Sequence, residues 1–115
     1  MIFWLTDVNL WWYLMARDKP YYSKKQIRNF IGSGKLHVTE SARNSARDLF
    51  GWFLADIEKA LLALSQKSCY RSEPRFNNPS IWVDYYRARN ILGENVYTHF
   101  YVEDGMLIVD SFKEI

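Results

Sequence analysis

The sequence predicts an α+β fold, with three N-terminal helices packed on a small, mainly antiparallel four-stranded sheet. Two observations predict the classes of element. Apolar residues between positions 23 and 66 recur at helical spacing, and past Ser68 the pattern changes to alternation among β-branched and aromatic residues. A third observation sets the strand order. Turn signals at 90–95, around Gly93, and at Asp104-Gly105 separate the later strand runs, so consecutive strands pair as hairpins.

Ser23-Lys24-Lys25-Gln26 is a capping box, in which Ser23 caps and Gln26 reaches back. The first helix runs through Phe30 and stops at Gly32 or Gly34, with Ile27, Phe30 and Ile31 as one core-facing stripe. Leu36-His37-Val38-Thr39 reads as a short extended piece. Thr39 or Ser41 caps a second helix over about 41–50, which ends near Gly51. The third helix covers about 54–66, where Leu54, Ile57, Leu61 and Leu64 keep a 3.6-residue period. Strands follow near 69–75, 81–89, 95–103 and 106–113. Pro74, Asn77, Asn78 and Pro79 break the first pair.

Length and composition narrow the field. A chain of 115 residues that is 49% hydrophobic and 24% charged supports one packed core. A net charge of +2 does not by itself imply nucleic acid; the distribution of charge matters more. Cys69 is the single cysteine, so neither a disulfide framework nor a cysteine zinc site is available, which fits a reducing cytosol. His37 and His99 lie far apart without ligand spacing, and no metal or cofactor is expected.

Residues 1–14 look foreign to the rest, with three tryptophans and no basic residue. They lack the positive start of a signal peptide, and Asp7 and Asn9 interrupt any membrane span. Met15 opens an ordinary polar segment. We therefore expect 1–14 to be an extension outside the domain, with Met15 as the true start and 15–115 as a single domain.

The chemistry concentrates in the last third. On the strand at 95–103, Val96, Thr98, Phe100 and Val102 point one way, and Tyr97, His99 and Tyr101 the other. Val83, Tyr85, Arg87 and Arg89 share one side of the preceding strand, and Ser111 and Lys113 share a side of the last. If register brings these together with Arg71, one open face carries aromatic planes beside fixed cations. Such a face can stack bases and hold phosphates. It also has the groups that metal-free RNA cleavage needs: a base for the 2′-hydroxyl, cations for the phosphorane and an acid for the departing 5′ oxygen. An ordinary solvated sheet face shows the same alternation, so the pattern leaves both readings open. Trp82 and Phe112 read as core anchors, His37 as structural, and Cys69 as a small buried hydrophobe.

Ile81-Trp82, Asp84, Tyr86-Arg87, Arg89, Gly93, Val96-Tyr97, Leu107-Ile108-Val109 and Ser111-Phe112-Lys113-Glu114 together resemble the MqsR family of bacterial type II toxins, which are sequence-selective mRNA interferases. Tyr70 with Arg71 resembles a Tyr-Lys pair of that family, and the likeness covers about 21–115. The resemblance implies a RelE-like fold and metal-independent endoribonuclease activity on mRNA, in the cytoplasm. It also implies a cognate antitoxin, usually encoded by the neighbouring gene and carrying a DNA-binding domain, and no stable membrane partner. Family catalytic positions fall on Tyr97 and Lys113, both retained. A family lysine falls on Arg71, which keeps charge but cannot transfer a proton. A family glutamine falls on Val83, and His99 stands where a relative has lysine. One extra residue, about Asp110, sits in the last strand, where a bulge would re-aim Lys113.

Tyr97, His99 and Lys113 are therefore expected to carry the reaction, with Arg71 and Arg87 holding the scissile phosphate. Arg89, Tyr85 and Tyr101 are expected to bind RNA beside them. The alternative function is a non-catalytic antitoxin- or RNA-binding module derived from such a toxin, which the Val83 substitution favours. A membrane-tethered protein would rest on residues 1–14 alone.

Overall fold

The computed structural model describes residues 16, 17 and 19–115, so the expectations about Met15 and residues 1–14 lie outside the described residues. Helix α1 spans Lys24–Gly32 and begins at the capping box read from sequence. Ser23 Oγ accepts the Gln26 N–H at 3.1 Å, and the Ser23 N–H donates to Gln26 Oε1 at 2.8 Å. Strand β1, Leu36–Val38, leads into helix α2, Glu40–Phe50. Thr39 caps α2 by accepting the Ala42 N–H at 3.2 Å, and Gly51 ends it in the left-handed region at φ 73°.

Helix α3, Leu54–Ala63, stops short of the predicted residue 66. Leu64 turns to extended backbone and is buried, and a 3₁₀ turn at Gln66–Ser68 leads to the sheet. Leu54 is exposed, contrary to its place in the predicted stripe; Ala60 takes the inward position with Ile57 and Leu61. A three-four-three spacing fits the helical period, but the first helical residue sits at the rim where the core has not yet closed.

The remaining strands are β2 (Cys69–Arg75), β3 (Asn78–Ile91), β4 (Glu94–Glu103) and β5 (Met106–Glu114). The sheet has five strands in the order β1-β5-β4-β3-β2, and β1 pairs parallel to β5. This corrects the expectation of four strands. The short extended piece at 36–38 lines up with Leu107, Ile108 and Val109, a pairing too distant and too short for local periodicity to reveal. The break expected between the first pair of strands is a turn at Phe76-Asn77, narrower than read from sequence, and the pairing shifts register between Pro74 and Arg75. Pro74 lies in β2, at the end of the strand order, and Pro79 precedes regular pairing of β3 with β4 at Val83. Arg17 makes two backbone bonds to Ser72, of 2.7 and 2.6 Å, along the outer side of β2.

Both later hairpins turn through two residues of positive φ, Leu92-Gly93 and Asp104-Gly105. The helices close over one sheet face, where Ile27, Ala42, Ala46 and Leu61 join Tyr86, Phe100, Leu107, Val109 and Phe112 in one core. Asp84 lies within it, fully buried. Its carboxylate accepts the Tyr21 N–H at 2.9 Å, the Tyr22 N–H at 3.0 Å and the Ser72 hydroxyl at 2.6 Å. Burial pushes its pKa up, and these three donors pull it back. Among the described residues no helix is long and apolar enough to cross a membrane.

Candidate active site on the open face of the sheet

Two β-bulges decide which side chains reach the face opposite the helices. In β2, Cys69 faces Tyr86 and Arg71 faces Tyr85, so Tyr70 is an extra residue. Cys69 is buried in the core, and Tyr70 and Arg71 then both turn outward. In β5, Phe100 faces Val109 and His99 faces Ser111, so Asp110 is the extra residue, at the position read from sequence. Were Asp110 paired like an ordinary strand residue, Lys113 would keep phase with the buried Leu107 and Val109 and point into the core. With it, Phe112 is buried and Lys113 stands outside.

The open face then reads as rows across the strands. One row is Arg87, Tyr97 and Lys113, and the next is Arg71, Tyr85, His99 and Ser111. Arg87, Tyr97 and Lys113 line a shallow pocket of about 250 Å³, together with Glu114 and Ile115. Lys113 Nζ lies 5.9 Å from the Tyr97 ring centre, and the Arg87 guanidinium lies 4.3 Å from the Tyr70 ring centre. A larger hollow of about 450 Å³, between α2 and α3, is lined by Arg43, Arg47, Phe53 and Leu54 and holds none of the predicted site residues.

Tyr97 and His99 lie in hydrogen-bond contact on β4. The Tyr97 hydroxyl and His99 Nδ1 are 2.9 Å apart, and His99 Nε2 lies 3.6 Å from the Asp110 carboxylate. Burial among strand neighbours pushes the Tyr97 phenol up to about 12, helped by the nearby Tyr70 and Tyr85 and opposed by Arg87. Burial also lowers the pKa of His99, against the pull of Asp110 and with the push of Lys113. At neutral pH the phenol therefore carries its proton and the imidazole is neutral. A neutral ring has one donor and one acceptor nitrogen, so the tautomer of His99 sets which way the hydrogen bond to Tyr97 runs.

Of the predicted residues, Tyr97, His99, Lys113 and Arg87 come together. Arg71 lies on the same face, but its Nε donates to Glu73 Oε2 at 2.8 Å, a partner sequence reading did not consider. Tyr85 stands between Arg71 and His99, its ring 5.2 Å from the imidazole. Arg89 is exposed beyond the last regular pair, Ala88 with Val96, and outside the pocket. Tyr101 lies at the far end of the face, buried with Ile81 and Val83 beside Ile108, and Arg75 covers its ring at 4.5 Å. Val83 thus occupies a small apolar cluster rather than the pocket. Tyr70 and Asp110 are the additions, each the extra residue of a bulge. Cys69 is buried, its thiol pushed up to about 11 by desolvation. Among the described residues no three His, Cys, Asp or Glu side chains group in a way that could hold a metal ion.

A family model described as motility quorum-sensing regulator, toxin of MqsA, matches residues 19–114. The mRNA interferase toxin MqsR of Escherichia coli (strain K12) is 31% identical over 100 residues, covering 87% of this chain and 99% of that protein. The chain belongs to the MqsR toxin family.

Proposed function

We propose that this member of the MqsR toxin family is the toxin of a toxin–antitoxin pair, an endoribonuclease that cleaves mRNA on the open face of its sheet. The observation that carries the assignment is the row Arg87, Tyr97, Lys113, with a neutral imidazole 2.9 Å from the Tyr97 hydroxyl. The scissile phosphate sits between Arg87 and Lys113, whose charges offset the phosphorane that forms when the 2′ oxygen attacks phosphorus. The Tyr97–His99 pair takes the proton of the attacking 2′-hydroxyl. The bond from phosphorus to the 5′ oxygen breaks as Lys113 gives that oxygen a proton. The products are a 2′,3′-cyclic phosphate and a 5′-hydroxyl end. His99 then loses its proton to water, and Lys113 regains one. Arg71, tethered to Glu73, and Tyr85 hold the neighbouring nucleotide.

The reaction needs no metal, recognises a short motif and takes place in the cytoplasm. The partner is an antitoxin of the MqsA kind, encoded by the neighbouring gene, with a DNA-binding domain and an acidic or strand-adding face that covers the basic site. The test is purified protein with a defined single-stranded RNA in EDTA, with fragment ends mapped. Cleavage at a recurring motif, lost in Lys113→Ala and Tyr97→Phe, is expected. A folded protein that leaves the RNA intact, and whose induction alone leaves growth unchanged, would instead be the binding module.

A further inference from the structure

We infer that Asp110 is a positioning residue that fixes the tautomer of His99 and makes Tyr97, His99 and Asp110 a proton relay to the attacking 2′-hydroxyl. The inference rests on the ribonuclease reading and adds to it the residue that orients the base. Three placements carry it. Asp110 is the unpaired residue of the β5 bulge, so its carboxylate stands on the open face beside a histidine from the next strand. Its Oδ2 lies 3.6 Å from His99 Nε2, while the opposite ring nitrogen, Nδ1, lies 2.9 Å from the Tyr97 hydroxyl. The imidazole side chain is only 21% exposed, so few waters compete for its nitrogens.

An anion beside Nε2 favours the tautomer with its proton there, which leaves the Nδ1 lone pair to accept from Tyr97. The reverse tautomer would aim a lone pair at the carboxylate and a ring N–H at the phenol, and would leave no acceptor for the phenolic proton. The transfer balances. Tyr97 oxygen takes the proton of the 2′-hydroxyl as its own proton passes to His99 Nδ1, and the 2′ oxygen forms its bond to phosphorus. The imidazolium that results is held between the phenol and the Asp110 carboxylate. At 3.6 Å the resting contact is electrostatic, and it tightens when the ring becomes charged. The other groups around His99 are Tyr85 from β3, Ser111 and Lys113 from β5, and Tyr101 on its own strand. Among these groups only Asp110 carries a negative charge, and only Lys113 opposes it.

The experiment measures two things on wild type, Asp110→Ala and Asp110→Glu: nitrogen chemical shifts of the His99 ring, and cleavage rate against pH with kcat and KM separated. In the wild type the proton is expected on Nε2. Asp110→Ala, an exposed position, should lose that preference. Its kcat should fall about 10- to 100-fold, a fraction of what a general base contributes, with KM held. Its acid limb should move to lower pH, because removing the anion lowers the His99 pKa further. Asp110→Glu should recover part of each effect. An Asp110→Ala protein with wild-type ring shifts and an unmoved pH profile overturns the relay. If wild-type protein cleaves no RNA, the ribonuclease reading fails separately. The ring shifts still decide the tautomer: a wild-type proton on Nδ1 would overturn the positioning role by itself.

Discussion

The two faces of this sheet are built from the same strands but by opposite rules. On the helix side, β4 presents Val96, Thr98 and Phe100, all buried; Val96 and Phe100 are held by packing, and the Thr98 hydroxyl donates to the Ser111 carbonyl at 2.8 Å. On the open side, one residue out of phase, it presents Tyr97 and His99, half-buried and held by polar contacts. A solvated face would let such side chains extend into water. Here aromatic rings from β2, β3 and β4 pack against one another and draw the imidazole and the phenol out of solvent, so burial raises one pKa and lowers the other. The lesson is that desolvation on an uncovered face needs a purpose other than stability. The helix side supplies the main core, and the open side adds only the small cluster of Ile81, Val83 and Tyr101 at its far end.

Four variants break or sharpen that contrast. The largest effect is expected for Tyr97→Phe, which keeps the ring and removes the proton. Cleavage should fall about 10²- to 10⁴-fold, the usual contribution of acid–base catalysis, while thermal unfolding stays within a few degrees of wild type. Phe100→Ala is the mirror case. It should cost about 3–5 kcal/mol of stability in a denaturant titration, the range for emptying a buried aromatic site, yet leave the rate per folded molecule intact. A comparable rate loss in both variants would erase the distinction between the faces. Asp84→Ala should cost about 1–3 kcal/mol for each buried donor left without an acceptor. Faster hydrogen exchange at the Tyr21 and Tyr22 amides would locate that loss. The smallest effect is linked to pH. Because the folded pKa of His99 is depressed, its contribution to stability is full above the unfolded value near 6.5 and is lost as pH falls through the folded value. His99→Gln should be less acid-sensitive than wild type by that increment.

Much of this was legible in the sequence because it was local. Ser23 with Gln26, Thr39 before α2, Gly51 after it and Asp104-Gly105 each state their structure within a few residues. The alternation of 95–103 also separated the two faces correctly. What escaped was long-range or out of phase. β1 finds its partner some 70 residues later, and three residues carry no period. Tyr70 reached the site because a bulge gives two neighbours one face, which strict alternation forbids. Asp110 was flagged only as an extra residue, and its role beside His99 needed the register. Arg89 and Tyr101 shared the phase of the site residues but not their place along the strands. Phase gives the side of a sheet and says nothing of distance along it.

The strand order has a consequence during synthesis. β5 lies between β1 and β4, yet it follows every other strand in the chain. A nascent chain on the ribosome can close the β3–β4 hairpin early, but β1 has no partner and the core has no Val109 or Phe112 until residues 106–114 emerge. Lys113 and Asp110 arrive in that same segment. The pocket is therefore incomplete until that segment has emerged, because Lys113, Glu114 and Ile115 line it beside Arg87 and Tyr97.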